Sequence, residues 1–369
     1  MKKKNLYIFM LAALAVSCTN EELMTNEATD IVGFHALTSG ITTRGINETN
    51  SLNLKDSPFD VYAFTKTDGK LFMGKSLSES DYELSQGIEI KHNGSAWDYS
   101  NPADKAYWPT DKLNFFAFHP QPDPTEGYSV EVFSAQKQVV RYSVPTNVKH
   151  QKDLMYAISR DVDKETNAGK VKILFKHALS QACFKAKTEM ESMKVDVEDI
   201  KIHNIAVDGD LTLPQTGTDI SMKDWNTENK EDIAFEPKNL ETPVMEIGTE
   251  AKELTGKMYL PQELTRWTPE SKTIAQANEV KQSYLSVLCK IKQNGVYLWG
   301  SEEKAWRLFV PFGVKWEPGK RYVYTLIFGG GYKDDGTQVL DPIKWEVEEH
   351  PWQDTPYNVD ADTNVDINQ

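Results

Sequence analysis

The chain has 369 residues, of which 39% are hydrophobic and 11% aromatic, and its formal net charge is −14 at pH 7. This apolar content can form buried cores, so the composition excludes wholesale disorder, and the length suits two domains of ordinary size. The negative charge disfavours nucleic acids and anionic membrane surfaces as partners.

The N-terminus predicts export and a lipid anchor. Lys2 to Lys4 precede an apolar run from Leu6 to Val16, which is too short to cross a bilayer as a helix, so residues 1–17 are typical of a secretory signal peptide. Val16-Ser17-Cys18 resembles a bacterial lipobox, with Ala15 where leucine is commoner. This motif predicts that Cys18 carries acyl chains such as palmitate and becomes the first mature residue; the alternative is a signal peptide without lipid.

The residues after Cys18 concern the location of the mature protein. Glu21 and Glu22 resemble the export signal that sends lipoproteins to the outer face of the cell, and the alternative is an ordinary solvated linker. Several acyl chains hold a protein stably on a membrane. We therefore expect an outer-membrane lipoprotein on the cell surface, with residues 18–30 as a tether. Loss of residues 1–17 removes three lysines and changes the charge from −14 to −17.

Short strand patterns bounded by turn residues recur in the first half. Val171, Ile173 and Phe175 alternate with lysines, which predicts a strand with one buried and one wet face. Phe59 to Phe64 alternates before an Asp68-Gly69 turn, and Ile88 and Ile90 precede an Asn93-Gly94 turn. Leu113 to Phe118 is apolar enough for burial on both faces, and prolines end it.

The second half shows the same strand character. Tyr284 to Lys292 and Tyr322 to Phe328 predict strands, and Gln293-Asn294-Gly295 predicts a turn. Asp208-Gly209-Asp210 predicts the turn of another hairpin, and the charged stretch from Ser221 to Pro237 predicts a loop. Because helical periodicity is almost absent, the pattern predicts an all-β protein of sandwich architecture.

Six stretches occur in an order and spacing that resemble one family. They are ITTRG (residues 41–45), FDVYAF (59–64), WPTDKLNFFAFHP (108–120), DLMYA (153–157), VKILFKHALS (171–180) and WEPGKRYVYTLIF (316–328). Together they resemble the fimbrillin family of lipoprotein pilus subunits and related surface proteins of Gram-negative gut and oral anaerobes. The resemblance implies two tandem β-sandwich domains of Greek-key, transthyretin-like type, and we place them at residues 31–187 and 188–369.

The resemblance also implies a function. Fimbrillin subunits join when a protease cuts after an arginine near the mature N-terminus, a strand leaves, and a strand of the next subunit replaces it. In this chain the matching arginine is Arg44, and the alternating Tyr357-Asn358-Val359 region is a candidate donor strand. The expected partners are other fimbrial subunits, self or accessory, with a host or bacterial surface ligand. The rival function is that of a glycan-binding outer-membrane lipoprotein.

The chain offers no catalytic, cofactor or metal site that sequence can name. The seven histidines lie far apart without a zinc-type pair, and we interpret His177 as a hydrogen-bonded strand residue. Ser134 and Lys137 have the spacing of penicillin-interacting enzymes but lack that group's partner motifs. We therefore expect no enzyme.

The remaining cysteines and the tryptophans have two interpretations each. Cys183 and Cys289 are widely separated, which favours two buried free thiols over a disulfide. Five tryptophans lie in or beside turn-rich stretches, where they either cap the cores or stack on sugar rings; we favour core positions for Trp97, Trp108, Trp225, Trp267 and Trp352.

Overall fold

The computed structural model of the protein describes residues 30–38, 49, 53–76, 85–145, 150–165, 168–235, 245–329, 331–339 and 343–351, and the statements below concern these residues. The strands of the first half are β1 (Gly33–Thr38), β2 (Phe59–Thr65), β3 (Leu71–Met73), β4 (Lys75–Ser76), β5 (Ser85–Gln86), β6 (Ile88–His92), β7 (Trp97–Tyr99), β8 (Leu113–His119), β9 (Tyr128–Phe133), β10 (Gln138–Ser143), β11 (Met155–Val162), β12 (Lys170–His177) and β13 (Ser180–Thr188).

The second half adds one short helix to a further set of strands. These elements are β14 (Met193–Thr212), β15 (Trp225–Phe235), β16 (Met245–Ile247), β17 (Lys252–Tyr259), β18 (Gln262–Glu263), α1 (Ile274–Glu279), β19 (Tyr284–Gln293), β20 (Val296–Trp299), β21 (Trp306–Pro311), β22 (Lys315–Trp316), β23 (Lys320–Phe328), β24 (Gly331–Tyr332), β25 (Gln338–Val339) and β26 (Lys344–Pro351). The 3-10 turns are Leu54–Asp56, Pro102–Asp104, Pro124–Glu126 and Met222–Asp224. The all-β prediction is confirmed.

The first sheet closes on itself. Its strands follow the order β3-β2-β6-β7-β1-β12-β11-β8, and β8 also pairs with β2, so all of them except β3 form a continuous ring. β2 pairs with β8 along one edge, while β6 and β3 share its other edge, one after the other. A ring of this kind leaves its strands paired on both sides, and the interior can be filled only by side chains.

Alternate residues of the ring strands form a buried cluster inside it. Val171, Ile173 and Phe175 of β12 are completely buried there, whereas Lys170 and Lys172 are exposed. The prediction of one buried and one wet face is therefore confirmed. The hairpins after β2 and β6 are confirmed as well, since Gly69 and Gly94 adopt the positive φ that their turns require.

β8 is buried on both faces, as its sequence predicts. Phe115 belongs to the interior cluster, while Phe116 and Phe118 face outward into a second cluster. There the ring of Phe133, from the hairpin β9–β10, lies 5.9 Å from each of those two rings and 4.0 Å from Tyr62. The hairpin thus covers the outside of the ring and joins it to the rest of the molecule.

The second cluster continues between two further sheets. One follows the order β25-β24-β21-β19-β14-β10-β9, with β15 and β16 also on β14 and β20 on β19; the other follows β17-β13-β23-β26. β10 thus pairs with β14 of the second half, and β9 pairs with β10. The division into sandwich domains at residues 187 and 188 stays a prediction, and that boundary falls at the end of β13.

Two expectations for the second half are wrong. Asp208-Gly209-Asp210 is no turn, because β14 runs through it and Gly209 pairs with both Tyr142 and Thr227. A Cβ on Gly209 would lie 3.0 Å from Cδ1 of Leu260, so this glycine permits close packing. The charged stretch expected to be a loop contains β15, which pairs with β14 along one edge. Charged residues are common on edge strands.

Phe175 offers a test of the interior cluster. Its ring is fully buried and lies 5.2 Å from that of Phe59, so Phe175→Ala should lower the free energy of unfolding by about 3 to 5 kcal/mol. The matched control is Tyr107→Ala, because Tyr107 is 61% exposed and should cost less than about 0.5 kcal/mol. Denaturant titration measures both. Equal stabilities of the two variants would mean that Phe175 does not support the core.

Candidate functional site: the N-terminal strand and its slot

The strand β1 is held mainly along one edge. Six residues of β1, Gly33 to Thr38, pair in parallel with Lys170 to Phe175 of β12. On its other side, the pairing seen among the described residues joins Phe34 to Trp97 of β7. Parallel pairing is slightly less stable per residue than antiparallel pairing. The space that β1 occupies between β7 and β12 is called the slot below, and its junction with β7 has fewer paired residues than the other junctions of the ring.

The side chains of β1 alternate between the ring interior and the outside. Phe34 and Ala36 are buried, whereas His35 and Leu37 are exposed. The Phe34 ring meets three aromatic rings edge-on, at 5.7 Å from Tyr99 and 6.4 Å from both Phe59 and Phe115. Edge-on contacts of this kind add about 0.5 to 1.5 kcal/mol each beyond burial. Phe34 is thus the main apolar anchor of β1.

A small cavity lies beside β1. It has a volume of about 300 Å³ and lies beside Phe34, His35, Ala36, His92 and Trp97. The cavity lies next to the Phe34–Trp97 pair, which is the described pairing of β1 with β7.

Polar contacts fix the chain just before β1. The backbone N–H of Val32 donates to Ala106 at 2.9 Å, and the Tyr99 hydroxyl donates to the carbonyl of Val32 at 2.9 Å. Asp30 forms an ion pair with Lys164 at 2.7 Å, and the hydrogen bond from Lys164 lowers the pKa of the Asp30 carboxyl. Because Asp30 is highly exposed, this pair contributes little to stability.

A second fixed point lies after β1. The backbone N–H of Thr49 donates to Oδ2 of Asp153 at 2.9 Å, and Oδ1 of the same carboxyl lies 3.0 Å from Nδ1 of His177. Asp153 and His177 are both buried, which confirms that His177 is a hydrogen-bonded strand residue. Residues 39–48, which include Arg44, join the end of β1 to this anchored point.

Several residues singled out by sequence fall outside the described ranges. They are the lipidation candidate Cys18, the processing candidate Arg44, the donor candidate around Tyr357-Asn358-Val359, and Trp352. What sequence reasoning missed was the parallel partnership of β1 with β12 and the role of Phe34. The alternation of Phe34 and Ala36 signals an inward face, but no local pattern names the partner strand.

The remaining cysteines and tryptophans are structural. Cys183 and Cys289 form no disulfide, as predicted, but only Cys289 is buried as expected, whereas Cys183 is half-buried. Burial raises the pKa of Cys289. Trp225 and Trp267 are buried, while Trp97 and Trp108 pack against the interior cluster, so core positions are confirmed for these four. Among the described residues no group of three or more histidine, cysteine or acidic side chains is placed to hold a metal ion.

Comparison with known families identifies the chain. The profile of a family described as fimbrillin-like matches residues 43–349, which is most of the sequence. The chain belongs to the fimbrillin-like family. This is a family of fimbrial structural subunits and not of enzymes, and it implies a place in a cell-surface appendage. A search of curated proteins found no match.

Solved structures similar to this fimbrillin-like protein include a fimbrial protein from Bacteroides vulgatus ATCC 8482. It is 14% identical, with a TM-score of 0.57 over 88% of this chain and 100% of that chain. Another is the tip fimbrial protein Mfa3 from Porphyromonas gingivalis, with a C-terminal truncation, at 8% identity and a TM-score of 0.40 over 85% and 98% of the two chains. At these identities the likeness to the first concerns the fold alone.

The described part of the fimbrillin-like chain contains no helix long and apolar enough to cross a membrane.

The neighbours Phe34 and His35 provide a matched test of the anchor. Phe34→Ala removes a ring that contacts three other aromatic rings, so it should lower the free energy of unfolding by about 3 kcal/mol. It should also speed hydrogen exchange of the β1 and β12 amides. His35→Ala, on the exposed face of the same strand, should change the stability by less than about 0.5 kcal/mol. If both variants unfold and exchange alike, β1 is held by its backbone and not by Phe34.

Proposed function

We propose that this protein is a fimbrial subunit that is anchored through a lipid on Cys18 and assembled by strand exchange after cleavage at Arg44. The observation that carries the proposal is the construction of the slot. β1 pairs with β12 along its whole length but with β7 at a single residue, and it contributes Phe34 and Ala36 to the ring interior. It is thus a separable piece of an otherwise continuous sheet.

Cleavage after Arg44 would change how β1 is held. In the intact chain, residues 39–48 link β1 covalently to Thr49, which is fixed on Asp153. After the cut, the fragment that ends at Arg44 would be retained only by noncovalent contacts of β1 and the residues beside it. The body of the protein would keep its own fixed point at Thr49. Cleavage therefore converts an internal strand into a dissociable ligand of the slot.

An empty slot would be an acceptor for another strand. The edge of β12 from Lys170 to Phe175 would lose its hydrogen-bonding partners, and the rings of Phe59, Tyr99 and Phe115 would lose Phe34. Each 100 Å² of apolar surface left open costs roughly 2.5 kcal/mol. A strand that pairs with the edge and fills the Phe34 position would satisfy both needs, which is the physical basis of strand addition.

The C-terminal segment of another copy is a donor of suitable length. At least 18 residues follow Pro351, the last residue of β26, and they include the alternating Tyr357-Asn358-Val359. Fully extended, such a segment reaches about 60 Å, whereas a six-residue strand needs only about 20 Å. A partner's C-terminal segment therefore has the reach to fill the slot. Other fimbrial subunits, self or accessory, are the partners this mechanism requires.

The assembly proposal is tested with an arginine-specific protease. Treatment of the purified chain should cut after Arg44 and produce larger species in light scattering, because the open slot binds a second copy. Arg44→Ala should prevent both the cut and the growth while leaving the unfolding transition unchanged.

Arg141→Ala is the matched control. Arg141 lies on β10 in an ion pair with Asp210, so its loss should affect neither the cut at residue 44 nor the growth. Clean cleavage after Arg44 that leaves a stable monomer, with or without added C-terminal peptide, rules out self-assembly by this route.

The lipid anchor has its own test. Cys18→Ala should release the protein from the membrane fraction, because without acyl chains on Cys18 the anionic chain keeps no strong membrane attachment. Ser17→Ala is the control and should leave the protein membrane-bound. An unmodified cysteine in the mass spectrum of the membrane-bound protein would contradict lipidation at Cys18.

A further inference from the structure

A polar cavity lies away from the slot, where β8 ends and β11 begins. Its volume is about 760 Å³, and its lining includes Ser57, His119, Pro120, Pro145, His150 and Asp153. This volume is within the range of about 300 to 1,000 Å³ that is usual for small-molecule sites. The cavity shares Thr49 and Asp153 with the fixed point after β1, but none of its lining residues belongs to β1, β7 or β12.

The charged groups that line the cavity are already paired within the protein. Lys152 forms an ion pair with Glu126, and Asp153 is bound to His177 and to the backbone N–H of Thr49. The Lys152 charge is compensated by Glu126, and a cationic ligand would have to displace His177 from the fully buried Asp153 carboxylate. The charges therefore favour a neutral ligand. No metal-binding group was found in the described part of the chain.

His119 supplies an unsatisfied polar group in the cavity wall. Its side chain is only 3% exposed, its Nε2 lies 2.8 Å from Oγ of Ser57, and its Nδ1 is buried without a partner among the described residues. Burial lowers the pKa of His119 to about 4, although the nearby Asp153 carboxylate acts in the opposite direction. The imidazole is therefore neutral at neutral pH. An unpaired buried polar atom costs about 1 to 3 kcal/mol, which a ligand can recover.

The tautomers of His119 indicate which ligand group fits. If Nε2–H donates to Ser57, Nδ1 is an acceptor; if the Ser57 hydroxyl donates to Nε2, Nδ1–H is a donor. A ligand hydroxyl can donate in the first case and accept in the second. Pro120 and Pro145 add apolar wall beside these polar groups. Adjacent hydroxyl and C–H surfaces, without net charge, are what a sugar ring presents.

We propose that this cavity binds a neutral sugar unit, with His119 accepting or donating a hydrogen bond to one of its hydroxyls. This gives the subunit a recognition site that is separate from its assembly slot. The site does not rest on strand exchange, because it is present in the uncleaved chain. A protein carrying it could attach to surface glycans whether or not Arg44 is cut.

The test is saturation-transfer NMR on the purified, uncleaved chain. The probes are D-galactose, D-mannose, L-fucose and N-acetyl-D-glucosamine, with inorganic phosphate as the anionic comparison. At least one sugar should receive saturation and phosphate should not compete with it. His119→Phe keeps the ring volume next to Phe175, whose ring lies 5.9 Å away, but removes Nδ1, so the affinity should fall about three- to tenfold.

Two further variants complete the design. His350→Ala changes a half-buried histidine on β26 that is not part of the cavity lining, and it should leave sugar binding unchanged. His150→Ala changes an exposed residue of the cavity lining and should also weaken sugar binding. This variant takes the place of His119→Phe if the His119→Phe protein does not show the wild-type unfolding transition. The proposal is overturned if no sugar binds, if phosphate displaces the sugar, or if the cavity variants bind as tightly as the wild type.

Discussion

The closure of the first sheet by β1 is the constraint on which the proposed function depends. A closed sheet is interrupted if any one of its strands is removed. Here the position between β7 and β12 is occupied by the short strand β1, which is well paired along one edge. Most of its attachment comes from the parallel ladder to β12 and from the burial of Phe34 among three rings. Neither backbone pairing nor apolar burial depends on the exact sequence of the strand. A different strand with a similar alternation of apolar and polar residues can therefore bind in the same slot.

The rest of the fold limits what the loss of β1 would disturb. The ring has two separate apolar clusters, one inside it and one on its outer face. Phe34 and Phe175 belong to the inner cluster, whereas Phe116 and Phe118 are covered by Phe133 of the β9–β10 hairpin. Opening the slot would expose the inner cluster but would leave the contacts between Phe133 and the outer cluster in place. Local release of one strand is therefore compatible with a body that stays folded.

The buried Asp153–His177 pair connects the assembly slot with the polar cavity. Asp153 lies just before β11 and His177 ends β12, so the pair fixes the ends of two neighbouring ring strands. The same carboxylate holds the backbone of Thr49 and lines the cavity beside His119. A buried carboxylate with this many partners is costly to disturb, because each lost hydrogen bond would leave a polar group unpaired. The cavity wall is thus held rigidly.

Sequence alone determined the properties that depend on neighbouring residues. The all-β class, the buried face of β12 and the double burial of β8 all follow from local composition and period-two alternation. Tertiary structure decided which strands pair, because β1 and β12 are separated by more than a hundred residues and alternation names no partner. It also overruled local signals, since β14 passes through Asp208-Gly209-Asp210, and charged β15 is a strand because β14 offers it an edge. The His119 cavity likewise exists only in the folded chain, where distant segments bring a buried imidazole, a hydroxyl and a carboxylate together.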